Sequence, residues 1–423
     1  MILRERLAGL GYQARTVARR ATPVLSEIAS AIGAEVRENL FGEYLVIEDL
    51  LPLPYPTRWD RESAGALGRV DGAHLSEPGL CFIDTETTGL SGGVGTHAFL
   101  VAMAWRSGDG LLFRQYLLPD PAAERAMLAA VAVDLRDSSG LVSYNGRSFD
   151  VPVLEGRLVI NGHDTSGLRL PHLDLLHPVR RVYKARLGSC TLGNVEARVL
   201  GSDRGEDIPG HLIPEMYFRF LRGRDPAVLR DVLAHNRQDV VSLSLLLDHL
   251  CTVLGDCRGE HPLDRFGVAR LLEAQGRVED AEPIYTELWE ELGAAGAGAW
   301  DGAVWPGHWS PVELAYVVGM RLAGLRRRAG DAAAAEPILE SLMGTHPEPW
   351  EAGIMLAKDL EHRRKDRPGA LEVVAAALVV LGPRANRTPR ESRWLADLTR
   401  RSARLQKHLT GGSRSDRSGG GKA

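Results

Sequence analysis

The chain has few cysteines and no long apolar run. Its four cysteines, Cys81, Cys190, Cys251 and Cys257, contain no C-x2-C pair, so neither a structural zinc site nor a disulfide framework is expected. No apolar stretch approaches the roughly 20 residues that a membrane-spanning helix needs. The N-terminus has no apolar signal core. We therefore expect a cytoplasmic protein with no membrane partner.

The sequence also lacks a strong excess of charge of one sign. It has 51 basic and 55 acidic residues among 423, which gives a formal net charge of -4. This balance excludes a histone-like cation, but it does not exclude a polyanionic substrate, because positive charge can be concentrated locally. Only five of the basic residues are lysines, which suggests a GC-rich genome more than a function.

Short apolar segments in the first half of the chain predict a mixed sheet flanked by helices. The expected strands begin near Leu80, Ala98, Leu111 and Leu141, and the turn Ser107-Gly-Asp-Gly predicts that the second and third form an antiparallel hairpin. Helical spacing follows Pro119 and recurs at about 148–159, 190–199, 211–222 and 226–254. Strands interspersed with helices in this order indicate an α/β class.

The region from about residue 262 to 400 predicts helices only and contains a repeat. Segments beginning at Gln275, Ala329 and Arg364 resemble one another, and each places an alanine early in a following helix: Ala281, Ala335 and Ala370. The spacing resembles tetratricopeptide hairpins of about 34 residues with one insertion near residues 293–311. A plain helical bundle is the alternative. We divide the chain into an N-terminal extension (1–75), an α/β domain (76–257), a helical-repeat domain (258–409) and a flexible tail (410–423).

Acidic residues mark the candidate site. Asp84 and Glu86 lie two positions apart at the end of a predicted strand, so their side chains share one face. Asp150 lies just inside a predicted helix, and Asp239 abuts the apolar face of another, four residues after His235. Clustered carboxylates repel one another unless a cation or proton compensates, and Mg²⁺ or Mn²⁺ prefers such oxygen ligands. Each acid alone could also be a solvated strand end, a helix cap or a surface ion pair.

Three segments carry a family resemblance. They are FIDTETTGL at 82–90, YNGRSFDVP at 144–152 and HNRQDVVSL at 235–243. In this order they resemble the three motifs of DEDD-type 3′-5′ exonucleases in the ribonuclease H-like superfamily. The stretch from about 78 to 255 is most similar to bacterial predicted exonucleases of the YprB type, which often carry a C-terminal tetratricopeptide region. The resemblance implies a ribonuclease H-like mixed sheet followed by an all-α helical-repeat domain.

The resemblance implies a catalytic role for each of these acids. Asp84, Glu86, Asp150 and Asp239 would hold two Mg²⁺ or Mn²⁺ ions, which lower the pKa of a bound water and stabilise charge on the phosphate. His235 would position or deprotonate that water. Histidine-type relatives usually place this residue five positions before the last aspartate, whereas His235 is four before it, as in the tyrosine type. A purely structural helix-start histidine is the alternative.

A basic segment is the candidate contact with nucleic acid. Residues 169–186 contain five basic residues and one acidic residue, and we expect a loop beside the cleft whose side chains pair with phosphates. The proposed contacts are Arg180, Arg181, Lys184 and Arg186, together with Thr87 and Asn145 in the matched segments. A solvated loop is the alternative for the basic segment.

Two other patterns carry weaker signals. The glycine-rich segment from Gly89 to Thr96 lacks the Gly-Lys-Ser/Thr ending of a P-loop, so nucleoside triphosphate binding is not expected. His172, Asp174 and His177 could bind another metal ion, but the four acids already account for one site. Asp174 is better explained as a supporting or helix-start residue.

The leading hypothesis is a metal-dependent 3′-5′ exonuclease acting on DNA or RNA, with helical repeats that recruit a protein partner or shape substrate access. A structure-dependent endonuclease would use the same chemistry. The rival from another class is a non-catalytic nucleic-acid or protein adaptor with a degenerate exonuclease module. The retained carboxylates favour the enzyme, because such a cluster is costly to keep without a cation.

Overall fold

The computed structural model describes residues 25–54, 60–68, 79–89, 95–202, 204–205, 207–294 and 305–412. The chain forms two compact units. The sheet unit comprises Met1–Pro178 and Thr191–Gly255, and the helical unit comprises Val179–Cys190 and Asp256–Ala423. The N-terminal extension begins with a basic stretch, which lies outside the described residues and contains Arg4, Arg6, Arg15, Arg19 and Arg20.

The sheet unit is built on seven strands. They are β1 (Glu35–Asn39), β2 (Gly42–Pro52), β3 (Leu80–Thr87), β4 (Ala98–Ser107), β5 (Gly110–Leu117), β6 (Gly140–Ser143) and β7 (His172–Asp174). Their order in the sheet is β1-β2-β5-β4-β3-β6-β7. β3 pairs antiparallel with β4 and parallel with β6, and β6 pairs parallel with β7. The expected mixed sheet and the β4–β5 hairpin are confirmed.

Eight helices accompany these strands in the described chain as far as Gly255. They are α1 (Leu25–Ile32), α2 (Arg61–Gly68), α3 (Glu124–Arg136), α4 (Asp150–Asn161), α5 (Leu176–Leu187), α6 (Leu192–Val195), α7 (Ile213–Gly223) and α8 (Arg230–Gly255). One turn of π-helix, Glu196–Leu200, continues α6. Short 3₁₀ turns occupy Pro121–Ala123, Ser166–Arg169, Gly210–Leu212 and Pro226–Leu229.

Helices cover both faces of the sheet. Gln115 of β5 donates hydrogen bonds to α8, whereas the neighbouring Tyr116 donates to Asp134 of α3 (2.5 Å) from the opposite face. Arg106 of β4 also reaches α8, where it pairs with Asp248 at 2.6 Å with both side chains almost fully buried. A charge buried in this way is costly without its partner, so the pair fixes the position of α8 on the sheet.

The sheet extends into the segment that we expected to be an N-terminal extension. β2 pairs antiparallel with β5 over eight residues, from Leu45 opposite Leu117 to Pro52 opposite Gly110, and β1 forms the edge. β2 contains several apolar residues, but they do not alternate with polar ones and only Leu45 and Val46 are buried, so the sequence pattern did not predict a strand. The strand ends at Pro52, which has no backbone N–H to donate to a further ladder.

The helical unit continues with seven helices in its described part after Asp256. They are α9 (Pro262–Ala274), α10 (Val278–Ala294), α11 (Pro311–Arg328), α12 (Ala332–Thr345), α13 (Trp350–Asp359), α14 (Arg367–Leu381) and α15 (Pro389–Gly412). Leu360–Arg364 continues α13 as a turn of π-helix. Each helix packs on the next in the chain.

Three connections in this unit have the same geometry. Gly276, Gly330 and Lys365 all adopt a left-handed conformation, with φ of 81°, 88° and 58°, and a helix begins two residues after each. The corresponding alanines Ala281, Ala335 and Ala370 are fully buried. Glycine adopts this conformation readily and lysine at some cost. The repeat in the sequence is therefore a repeat in the structure, while its tetratricopeptide type stays a prediction.

Residues 176–187 form α5, so the expectation of a basic loop is wrong. The part of α5 after Pro178 belongs to the helical unit. There α9 approaches so closely that a Cβ on Gly267 would lie 2.3 Å from the Val182 carbonyl oxygen. Arg186 also donates to the buried Asp264 at 2.6 Å. Apolar positions in 176–183, including the fully buried Tyr183, form the helix face that packs here.

Three expectations from the sequence concern membrane-spanning helices, cysteine pairing and a flexible tail. No helix in the described residues is long and apolar enough to cross a membrane. All four cysteines are free thiols, and Cys190 is the one that is partly accessible. Residues 410–412 of the expected tail continue α15, which ends at Gly412, and residues 413–423 lie outside the described part.

Candidate active site

The candidate site starts at the end of β3. Residues 80–83 are buried between β4 and β6, and Asp84 and Glu86 follow on one face of the same strand. Asp84 accepts a hydrogen bond from the Asn236 side chain of α8 at 2.7 Å. The Asn236 carbonyl in turn accepts from Gln115 of β5 at 2.8 Å, and Gln115 also donates to the Leu233 carbonyl at 3.1 Å. This chain of amides sets the orientation of Asp84.

Asp150 reaches the same place from the first residue of α4. Its Oδ1 accepts from the Thr85 backbone N–H at 3.0 Å and from the Thr85 hydroxyl at 2.5 Å. The turn before it is tight, with Asn145 at φ 68°. A Cβ on Gly146 would lie 2.4 Å from the Ser143 hydroxyl and 3.0 Å from Asp150 Oδ2. Glycine at 146 therefore allows Asp150 to approach β3.

Asp174 at the end of β7 organises that turn. It accepts backbone hydrogen bonds from Asn145 (2.7 Å), Arg147 (3.2 Å) and Leu176 (3.2 Å). Its neighbour His172 is buried and bonds the Ser143 hydroxyl at 2.7 Å, and burial lowers the pKa of His172 to about 4. His177 is exposed. The contacts of His172 and Asp174 therefore support the turn that carries Asp150.

Asp239 and His235 lie on one face of α8. His235 Nδ1 contacts Asp207 Oδ1 at 2.7 Å, while its Nε2 lies 3.6 Å from Asp239 Oδ2 and 3.8 Å from Glu86 Oε1. The imidazole therefore faces two of the four acids. Asp239 Oδ1 also accepts from Arg204, whose guanidinium bonds the fully buried Glu196 and, at 3.0 Å, Asp207.

Burial disfavours the ionised form of all four acids, and the charges of the other site acids add to this effect at Asp84 and Glu86. Burial, and then the charges of Asp239, Asp150 and Glu86, raise the pKa of Asp84 well above its usual range. Burial and the charges of Asp239 and Asp150 raise the pKa of Glu86 to about 8. Burial raises the pKa of Asp150 to about 6 and also raises the pKa of Asp239, although Arg204 and His235 oppose the latter. The site therefore has more buried negative charge than its own cations compensate.

The type of donor in this site fits a hard divalent cation. Four carboxylates from β3, α4 and α8 provide oxygen ligands, and a cation would favour their ionised forms, which burial disfavours. The placement of the side chains is a separate question from the type of donor atom that they provide. Within the described residues, no group of three or more His, Cys, Asp or Glu side chains is arranged to hold a metal ion. Protein donors, namely Asn236, Thr85 and Arg204, hold three of the four acids.

A cavity of about 480 Å³ opens beside these acids. Asp84, Glu86 and Asp150 line it, and so do two of the predicted nucleic-acid contacts, Thr87 and Asn145. The Thr87 hydroxyl donates to the Gly89 carbonyl at 2.8 Å. Phe149 also lines the cavity with 54% of its surface exposed. An exposed aromatic ring beside the acids was not among the predicted site residues.

The four predicted basic contacts lie in the helical unit. Arg180, Arg181 and Lys184 are exposed on α5, whereas Arg186 is bound to Asp264. Lys184 donates to the Gly188 carbonyl at the end of the same helix. The structure therefore groups them with α9 and its neighbours, and it brings Thr87 and Asn145 to the acids.

The fold agrees with the comparisons with known proteins. Residues 81–251 match the model of the RNase H superfamily. The chain is 32% identical over 314 residues to the uncharacterized protein YprB of Bacillus subtilis (strain 168), and the match covers 71% of this chain and 69% of YprB. The chain thus belongs to the YprB family, and its sheet unit carries an RNase H superfamily domain. That superfamily supports a nuclease-type hydrolase and, with it, the use of divalent metal ions.

One solved structure is also similar. The family B DNA polymerase from the hyperthermophilic archaeon Pyrobaculum calidifontis matches 80% of this chain at 15% identity, with a TM-score of 0.36. The chain spans about half of that polymerase (51%). At this score the likeness carries no statement about function.

Proposed function

We propose that the protein is a divalent-metal-dependent 3′-5′ exonuclease that hydrolyses phosphodiester bonds of DNA or RNA. The observation that carries the proposal is the convergence of four largely buried carboxylates, whose pKa values are all raised, first by burial and, for Asp84 and Glu86, also by the charges of the other site acids. Such a cluster is costly to a folded protein unless a cation balances it in the working state. The order of the four acids along the chain is also the order found in the DEDD exonucleases that the sequence resembles.

Asp84, Glu86, Asp150 and Asp239 would hold two Mg²⁺ or Mn²⁺ ions. When bound, these ions would make a water molecule more acidic and stabilise negative charge on the reacting phosphate. The protein orients the acids before the reaction: Asn236 and Gln115 position Asp84, and Thr85 positions Asp150. Side chains locked in this way do not need to reorganise during the chemical step.

His235 is our candidate for the general base. Burial acts to raise the pKa of Asp207, but hydrogen bonds from His235 and Arg204 outweigh it, so the pKa is lowered and Asp207 is ionised. An ionised carboxylate only accepts hydrogen bonds, so His235 carries its proton on Nδ1. In the neutral imidazole with this tautomer, the Nε2 atom, which faces Glu86 and Asp239, carries the lone pair that accepts a proton from the attacking water.

The cavity beside the acids would hold the terminal nucleotide. Phe149 presents an exposed ring on which a base can stack, and such stacking tolerates any base. Asn145 and Thr87 provide polar groups on the same lining. These contacts are compatible with cleavage at a chain end and do not distinguish DNA from RNA.

The test uses end-labelled single- and double-stranded DNA and RNA with Mg²⁺ or Mn²⁺. We expect shortening from the 3′ end, and we expect Asp84→Asn to reduce the rate by at least about 10³-fold, because it removes a charge at the centre of the site. Asp109→Asn, an exposed acid in the β4–β5 turn, is the matched control and should keep the rate. No hydrolysis of any substrate with metal demonstrably bound would overturn the proposal. Cleavage at internal positions would indicate the endonuclease instead.

A non-catalytic adaptor is a second candidate, and one contact favours it. Arg204 already pairs with Asp239, and no group of acids within the described residues is arranged to hold a metal ion. The two candidates differ in metal binding. Thermal unfolding with and without Mn²⁺ should show stabilisation of the wild type and its loss in Asp84→Asn if the protein is a nuclease, whereas an adaptor should show no difference between them.

A further inference from the structure

A second cavity, of about 350 Å³, lies wholly within the helical unit. We call it the arginine cavity, and its lining residues are Arg181 of α5, Arg270, Glu273 and Ala274 of α9, and Arg321 of α11. A fourth arginine, Arg328 of α11, bonds the same Glu273 at 3.0 Å. Two guanidinium groups therefore bond one carboxylate, and Arg181 and Arg270 line the same cavity.

Glu273 orders the arginines around it. Its side chain, which is 14% exposed, accepts hydrogen bonds from the Tyr285 hydroxyl at 3.0 Å and from Arg321 at 3.4 Å as well as from Arg328. Arg270 stacks over the buried Phe266 ring at 5.6 Å. Side chains restrained in this way lose less conformational entropy when they bind a ligand.

Stability of the helical unit does not account for this excess of positive charge. Exposed ion pairs contribute about 0–1 kcal/mol each. The charged residues that line the cavity are three arginines and one glutamate. Arg321 and Arg328 keep 50% and 63% of their side chains exposed, and Arg181 and Arg270 are exposed as well. Like charges held together at a surface repel one another in the absence of an anion.

We propose that the arginine cavity is a binding site for the phosphate backbone of a nucleic acid. The guanidinium fork binds phosphate oxygens in a bidentate manner, and it does so better than a lysine ammonium group. The choice of nucleic acid over an acidic protein rests on the proposed function, which already requires a nucleic-acid substrate. The site gives the helical unit a role in holding the substrate, and this role does not depend on base sequence.

The test measures binding of the full chain to fluorescent single-stranded and duplex oligonucleotides by anisotropy in EDTA, so that no hydrolysis is needed. We expect Arg181→Gln, Arg270→Gln and Arg321→Gln together to raise Kd at least about tenfold. The slope of log affinity against log salt should become shallower by about 2 for single strands, because each lost phosphate contact removes about 0.7.

The matched control neutralises three other exposed arginines of the helical unit, Arg258, Arg390 and Arg400, which each contact a nearby acid. This control should leave Kd and slope unchanged. Lysine at positions 181, 270 and 321 should retain the slope and lose part of the affinity, which separates loss of charge from misfolding. The proposal would be overturned if the control triple had the same effect as the triple at positions 181, 270 and 321. It would also be overturned if the triple at positions 181, 270 and 321 had no effect. Binding of polyglutamate in preference to every oligonucleotide would overturn it in favour of an acidic protein.

The binding assay is independent of catalysis. If the protein hydrolyses nothing but the arginine triple weakens oligonucleotide binding, the exonuclease proposal fails and the arginine cavity stands. If Asp84→Asn abolishes hydrolysis and the arginine triple binds as the wild type does, the arginine cavity fails and the exonuclease proposal stands.

Discussion

The two units each collect charges of one sign, and they do so in opposite settings. In the sheet unit Asp84, Glu86, Asp150 and Asp239 are largely removed from water, and burial is the first cause of every raised pKa. In the helical unit the arginines of the arginine cavity stay exposed around Glu273. Buried repulsion costs stability in the absence of a ligand, whereas water screens exposed repulsion. The same number of charges should therefore affect stability strongly in one unit and weakly in the other.

The largest effect on stability should come from Glu86, because its pKa is raised strongly on folding and stays within a range that a titration can cover. Its pKa rises from 4.5 to about 8 on folding, so the folded state retains a proton that the unfolded state loses. The free energy of unfolding in EDTA should therefore fall as the pH rises from about 4.5 to 8, by an amount on the order of a few kcal/mol. Urea unfolding across this range should show that Glu86→Gln removes much of the decline.

Glu155→Gln is a suitable control for that measurement, because Glu155 is an acid of α4 outside the site. Its stability curve should follow the wild type. If the Glu86→Gln curve also runs parallel to the wild type, the buried carboxylates do not repel one another as the contacts imply.

An intermediate effect is expected at Asp207, whose side chain is 28% exposed. Asp207→Asn removes the ionised acceptor that holds the Nδ1 proton of His235, so the turnover number should fall about 10- to 100-fold while KM changes little. The double variant with His235→Ala should be no slower than His235→Ala alone. Additive losses in that cycle would mean that Asp207 does not act through the imidazole.

The smallest effect on stability should come from Arg321, whose side chain is 50% exposed. Arg321→Gln should change the free energy of unfolding by less than about 0.5 kcal/mol, because its pair with Glu273 is exposed and Arg328 shares the same carboxylate. Thermal unfolding at low and at moderate salt provides the measurement. A loss above about 1 kcal/mol would show that the arginines are structural and would remove the contrast between the two units.

Short segments with strong local constraints were predictable from the sequence. The β3 strand ends in acids two positions apart, and the α4 and α8 helices place Asp150 and Asp239 by ordinary helical spacing. The repeated turns at Gly276 and Gly330 were readable because glycine marks a left-handed residue. The third turn, at Lys365, has the same geometry with a residue that gives no such signal.

The residues that position the site were not predictable in the same way. Asn236 lies between His235 and Asp239 in the sequence, but its contact with Asp84 depends on the packing of α8 against β3 and β5. Arg204 and Asp207 meet α8 from a segment with no helical or strand period. These contacts join residues far apart in the chain, so only the assembled sheet unit brings them together.

Residues 179–190 belong to the helical unit, although residues of the sheet unit precede and follow them in the chain. The helical unit is therefore discontinuous in sequence. A fragment that starts after residue 257 lacks Val182, whose backbone packs against Gly267. It also lacks Arg186, the partner of the buried Asp264. Excision at residue 257 should therefore yield a fragment with an exposed groove and an unpaired carboxylate, prone to aggregate. During synthesis the segment 179–190 leaves the ribosome before α9 exists, so the helical unit can close only after the sheet unit has largely been made. The chain is best expressed and studied whole.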